Sequence, residues 1–150
     1  MANGEFRLSE YDETIRMVLE SGGEFRIYPK GTSMLPLIRA GIDSVVLTKP
    51  TGRLKQGDIA FYLRDNGAYV LHRIIRVDAD GYTLCGDNQI VPEKGIADRH
   101  IIGVVTRIYR GEKPVSEKSF GYGIYLLLWK NLFVRRVCLK LRRMFGKGRV

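Results

Sequence analysis

At 150 residues, 45% of them hydrophobic, the chain is long enough for one domain with a real core and too short for two comfortable ones. Lysine and arginine outnumber aspartate and glutamate by 25 to 16, which alone would suggest an anionic partner, yet eight of the cations and no acid fall between Lys130 and Val150. The tail therefore carries nearly all of the net charge of +9, and the nearly neutral remainder, without a recognised DNA or RNA motif, makes nucleic acid an unlikely partner.

The chain opens on an acidic, polar stretch that lacks the basic and apolar regions of a secretory signal. We expect no signal peptide and no spanning segment, and a location in the cytoplasm or peripherally at the cytoplasmic membrane face. Ser9 and Asp12 have the spacing of a capping box, and Tyr11, Ile15, Met17, Val18 and Leu19 make a roughly helical apolar face that Gly22 and Gly23 end. Residues 1–23 thus predict an N-terminal helix.

From Glu24 the texture becomes that of a meandering β domain over 24–110, with short Val, Ile, Tyr and Phe runs between Gly, Asp and Asn turns. The expected strands are Glu24 to Tyr28, Ser44 to Thr48, Ile59 to Arg64, Tyr69 to Val77, Tyr82 to Cys85 and Ile101 to Tyr109. Asn66-Gly67 and Asp80-Gly81 predict two tight turns that make three neighbouring strands antiparallel. Gly111 to Gly121 reads as a linker to a separate tail, the linker and tail together covering 111–150. In that tail Leu126, Trp129, Phe133, Val137, Leu141 and Met144 recur at helical spacing, which predicts a basic amphipathic helix. Its longest charge-free run is too short to cross a bilayer, so it would lie on an anionic membrane surface through Lys130 to Arg149, or pack on the domain or a partner with its arginines solvated.

Three segments carry groups suited to acyl transfer, in which a serine needs a base and donors for an oxyanion. In Gly31-Thr32-Ser33-Met34-Leu35-Pro36, glycine permits a sharp turn before Ser33 and Pro36 stiffens the exit. In Val70-Leu71-His72-Arg73-Ile74, strand alternation puts His72 on the apolar face of Val70 and Ile74, which favours a neutral imidazole. Gly86-Asp87-Asn88-Gln89 follows a strand as a turn able to orient its neighbours. Taken singly, Ser33 reads as a turn serine and His72 as a core histidine. Asp87 reads equally well as a turn cap, and His100 as a surface residue. Cys85 reads as a small buried strand residue rather than a thiol nucleophile. Cys85 and Cys138 form no disulfide framework or zinc spacing, which suits a reducing compartment, and no metal or cofactor is implied.

In order, these boxes together with Gly57-Asp58-Ile59-Ala60 and Ile102-Gly103-Val104-Val105 resemble the motif series of the signal peptidase I-like (S24/S26-type) serine peptidases. The resemblance spans Tyr28 to Tyr109 and implies a mainly β, signal-peptidase/LexA-like fold. It also implies an endopeptidase acting on an extended leader or signal-like peptide, with small residues beside the cut. Relatives with a lysine base do not fit, since no lysine lies between Gln56 and Glu93. The histidine branch, archaeal and endoplasmic-reticulum-like, is the one implied. By that resemblance Ser33 is the nucleophile, His72 the base and Asp87 the aspartate of the Gly-Asp-Asn box, with Gly86 and Asn88 beside it. Glu93 stands where the third acid falls, and Asp98 is the alternative. Two departures count against routine signal-peptide processing: no N-terminal membrane segment is expected, and Gly31 replaces the serine whose hydroxyl usually helps to bind the oxyanion. The competing reading is a catalytically weak peptide-binding module docked by its basic helix, and a third is a regulator that cuts itself.

Overall fold

The computed structural model describes residues 8–116, 120–129 and 131–145. Helix α1 (Leu8–Glu20) precedes strands β1 (Phe25–Ile27), β2 (Ser44–Thr48), β3 (Ile59–Leu63), β4 (Tyr69–Asp78), β5 (Gly81–Cys85) and β6 (Glu93–Ile96). A 3-10 turn (Asp98–His100) then leads to β7 (Ile101–Arg110), β8 (Lys113–Pro114), α2 (Phe120–Trp129) and α3 (Leu132–Phe145). The fold is mainly β, as expected: one antiparallel sheet in the order β1-β2-β7-β3-β4-β5-β6, with β8 paired to β7.

The sheet buries both faces. Phe61 and Tyr62 are adjacent on β3 and so point to opposite sides, Phe61 into a core with Ile15, Leu19, Met34, Leu47 and Leu71, and Tyr62 into a second with Ile74, Tyr82, Leu84 and Ile96. Ile15 and Leu19, one helical turn apart, fasten α1 to the first core, each burial contributing roughly 1.5–3 kcal/mol. Gly22 ends the helix in a left-handed conformation at φ +82°, its N–H bonded to the Leu19 carbonyl. The helix begins at Leu8, ahead of Ser9, and the capping contact expected of the Ser9 side chain lies outside the described residues.

The β3–β4 hairpin turns where Asn66-Gly67 predicts, Gly67 standing at φ +83° and Asn66 Oδ1 accepting from the Ala68 N–H. At the next turn the pair Asp78 and Gly81 closes the ladder, so the loop is Ala79-Asp80 and Gly81 begins β5. There a Cβ would lie 2.4 Å from the Ile96 carbonyl, so Gly81 is needed for close approach of β6.

Two expectations about the C-terminal part are corrected. Lys113–Pro114 form a strand on β7 inside the segment read as linker, and the single tail helix is two, α2 and α3. Asn131 starts the second by accepting from the N–H groups of Phe133 and Val134, a side-chain cap that breaks the continuous spacing read from the sequence. Trp129 is buried whereas Phe133, Val137, Leu141 and Met144 are exposed, so these residues do not share one packed face. Lys130, Lys147 and Arg149 lie outside the described residues.

Candidate active site

The loop after β1 is shaped by Gly31, at φ +85°, and pinned from below by Met34, Leu37 and Ile38, all buried in the first core. Thr32 and Pro36 are exposed, while Ser33 is half-buried. The Gly86-Asp87-Asn88 turn holds this loop from the side: the Asn88 N–H donates to the Ser33 carbonyl at 2.8 Å and Asn88 Nδ2 to the Thr32 carbonyl at 3.1 Å. Gly86 is required by the approach, because a Cβ there would stand 2.6 Å from the Ser33 carbonyl oxygen. Neither the Ser33 hydroxyl nor its backbone N–H is bonded to any described residue.

His72 is paired with Ala60 of β3 and is only 4% exposed. Its Nδ1 lies 3.2 Å from the Tyr62 hydroxyl, which donates to Glu93 Oε2 at 2.8 Å. Arg64 holds the same carboxylate, Nη2 at 2.6 Å and Nε at 2.9 and 3.0 Å from its two oxygens. Because the single Tyr62 proton is engaged by Glu93, the hydroxyl oxygen can only accept from His72. That assigns the ring proton to Nδ1 and leaves Nε2 bare, with no partner among the described residues. Burial lowers the His72 pKa to about 4, Arg64 adds to the depression, and Glu93 and Asp87 oppose it. Burial works against the Glu93 carboxylate, but the bonds from Arg64 and Tyr62 prevail and hold it below its ordinary value.

Ser33 and His72 line one cleft of about 240 Å³, with Lys30, Gly31 and Tyr69 among its other walls. The two side chains are not hydrogen-bonded to each other. One wall is a sheet edge: β4 pairs with β3 from Tyr69 onward but with β5 only from Arg73, so among the described residues Tyr69 to His72 have one edge with no strand paired to it. Such an edge can take an extended peptide as an added strand.

Asp87, between Gly86 and Asn88, is the centre of a buried ionic cluster. Asp87 and Arg73 are fully buried and bidentate, Nε to Oδ1 at 2.9 Å and Nη2 to Oδ2 at 2.8 Å. Burial disfavours the Arg73 charge, yet the bonds to Asp87 raise its pKa above the ordinary value. The C-terminal helices join the cluster. Tyr125 donates to Asp87 Oδ2 at 2.6 Å, and Trp129 Nε1 donates to the Asp87 carbonyl at 2.7 Å. Arg135 donates to the carbonyls of Gly86 and Trp129, both at 2.8 Å. Two readings are thereby corrected. The Asp87 side chain does not cap its own turn but neutralises buried arginine, and Arg135 is not a solvated tail cation but fully buried. Its position in α3, one turn after Asn131 and on the same face as Leu139, points it inward.

A model of a protein family, described as Peptidase S24-like, matches residues 4–106. The chain belongs to the Peptidase S24-like family. The match takes in the Ser33 loop, the β3–β4 hairpin and the Gly-Asp-Asn turn. No curated protein and no solved structure matches.

Within this S24-like domain the remaining candidates separate. Asp98 accepts from the Tyr82 hydroxyl and pairs with Arg53, and no bond joins it to the His72 network among the described residues. His100 is buried, not at the surface: it ends the 3-10 turn, its Nδ1 accepting from the Ala97 N–H and its Nε2 meeting Asp65 at 3.0 Å. Cys85 is fully buried, its thiol pKa raised by that burial and its Sγ directed at the Gln89 and Val91 carbonyls. No group of three or more His, Cys, Asp or Glu able to hold a metal occurs among the described residues. Tyr62 and Arg64, which complete the His72 network, look in the sequence like ordinary strand and turn-flanking residues. Only Arg73, inside the Val-Leu-His-Arg box, carried a signal.

Proposed function

We propose that the protein is a serine endopeptidase of the Ser-His type, cleaving an extended leader or signal-like peptide with Ser33 as nucleophile and His72 as base. The observation that carries this reading is the shared cleft. Ser33 presents an unbonded hydroxyl there, and His72 an unpartnered Nε2 whose opposite nitrogen is held through Tyr62 to Glu93. A substrate strand lies along the Tyr69–His72 edge and sets its scissile carbonyl over Ser33. As the Oγ–C bond forms, the hydroxyl proton passes to His72 Nε2, and the unbonded Ser33 N–H donates to the oxyanion. The imidazolium is then stabilised through Tyr62 by the Glu93 carboxylate, which Arg64 keeps ionised. His72 gives this proton to the amine nitrogen as the C–N bond breaks; water, deprotonated by the same nitrogen, then attacks the acyl carbon, and the proton returns to Ser33 Oγ as the Oγ–C bond breaks.

Two features make this a slow or specialised catalyst. The burial that keeps His72 neutral also weakens it as a base. Gly31, at φ +85°, supplies no hydroxyl to the oxyanion, and one missing donor typically costs about 3 kcal/mol. These same features, with the unmade Ser33–His72 bond, favour the second reading, a peptide-binding module that hydrolyses little. Incubation of native protein and Ser33→Ala with a mixture of extended peptides, read by mass spectrometry, separates the two. Products from the native chain alone support the peptidase. Peptides retained by both proteins but cut by neither favour the binding module, and cleavage of the protein itself would point to a self-cutting regulator.

A further inference from the structure

The inner faces of α2 and α3 are used by the buried cluster, but their outer faces are apolar and uncovered. On α2, Ile124, Leu127 and Leu128 are exposed, Leu127 at 72%. On α3, Phe133, Val137, Leu141 and Met144 follow at spacings of four, four and three residues, forming one stripe, with Phe133 73% exposed. Helical geometry places Arg136, Lys140 and Arg143 along one flank of that stripe, all exposed, and α3 has no acidic residue. No helix among the described residues is long and apolar enough to cross a membrane.

We propose that this outer face docks the protein on an anionic lipid surface, α3 lying in the headgroup plane. The chemistry selects that occupant. A second copy would set a wholly cationic helix against its equal, and a phosphate backbone would satisfy the cations but leave the Phe133–Met144 stripe in water. An anionic bilayer surface satisfies both. Docking also sets where chemistry occurs. Arg143 and Val91, the latter 77% exposed, line one cleft with His72 and Glu93, so the docked face adjoins the site. The helices that would touch lipid bond, through Arg135, Trp129 and Tyr125, to the turn that holds Ser33. A membrane-proximal segment is the substrate this placement serves, a clause that rests on the peptidase reading, whereas the docking itself does not.

The test is co-sedimentation of the full chain with extruded vesicles of phosphatidylcholine alone or with one quarter phosphatidylglycerol. Binding is expected to the mixed vesicles, at least tenfold weaker to the neutral ones and reduced by 0.5 M salt. Each of Arg136→Gln and Lys140→Gln should lower affinity about fivefold. Phe133→Ser with Met144→Ser should lower it more than tenfold, with an unchanged melting curve because both side chains are exposed. Ser33→Ala should bind like the native chain, which keeps this result apart from the peptidase question. No binding to anionic vesicles by folded protein overturns the proposal. So does a dimer abolished by Phe133→Ser, or duplex binding that displaces vesicles and ignores the apolar substitutions.

Discussion

Acidification is the perturbation whose consequence follows most directly from the environment of His72. Free imidazole titrates near 6.5, whereas burial, aided by Arg64, lowers this ring to about 4. At pH 5 roughly nine-tenths of the folded molecules would retain a neutral His72 ring, against about 3% for an unperturbed ring, a difference of about thirtyfold in the neutral form. Stability moves with the same group. Between pH 6.5 and 4 the unfolded chain binds a proton that the folded chain refuses, so stability from this group is present above pH 6.5 and lost as pH falls through 4. The full loss is about 3 kcal/mol, since the pKa difference is roughly 2.5 units. Two assays report it: the rate of Ser33 modification by a fluorophosphonate from pH 3 to 7, and urea unfolding of native and His72→Gln protein over the same range. The rate should fall with a midpoint near pH 4, and His72→Gln should flatten the acid side of the stability profile. A midpoint near 6.5 in the rate, with parallel stability profiles, would refute the claim that burial governs this imidazole.

Removing the Tyr62 hydroxyl in Tyr62→Phe leaves His72 Nδ1 without its acceptor and Glu93 without one donor; cleavage or labelling should fall on the order of tenfold, with the pH midpoint displaced. An unaltered midpoint with full activity would remove Tyr62 from the network. Gly86→Ala forces a Cβ against the Ser33 carbonyl, and a displacement of about 1 Å at Ser33 should cost on the order of a hundredfold in labelling rate while circular dichroism still reports a folded sheet. Asp87→Ala leaves Arg73 and Arg135 buried without their carboxylate, and denaturant unfolding should show a loss of about 3–5 kcal/mol. A loss below 1 kcal/mol would show that the cluster is not load-sharing with the core.

Much of this was legible in the sequence because it was written in local signals. Asn66-Gly67 has one favoured hairpin geometry, Ile15 and Leu19 lie one helical turn apart, and the Gly-Asp-Asn turn lies beside Ser33 as a turn able to orient its neighbours. What escaped was set by partners distant in the chain. Glu93-Lys94-Gly95-Ile96 has no alternation and becomes β6 only by pairing with β5, Ile96 against Tyr82 and Glu93 against Leu84. That same pairing delivers Glu93 to Tyr62, so this carboxylate reaches His72 through a hydroxyl that no spacing rule points to. Arg135 sits among exposed cations in sequence, and nothing local distinguishes it. Its burial follows from its place on the face of α3 that carries Leu139 and meets Asp87. His100 was misread because a 3-10 turn, rather than a simple strand entry, precedes β7.

Covalent labelling with a serine-directed fluorophosphonate, mapped by mass spectrometry, decides whether Ser33 is an activated nucleophile served by His72. A single adduct is expected on Ser33 in the native chain, with the phosphorus–fluorine bond broken and a phosphorus–oxygen bond formed. None is expected in Ser33→Ala and little in His72→Ala. A well-folded protein that leaves Ser33 unlabelled, or labels it equally with and without His72, would contradict the account.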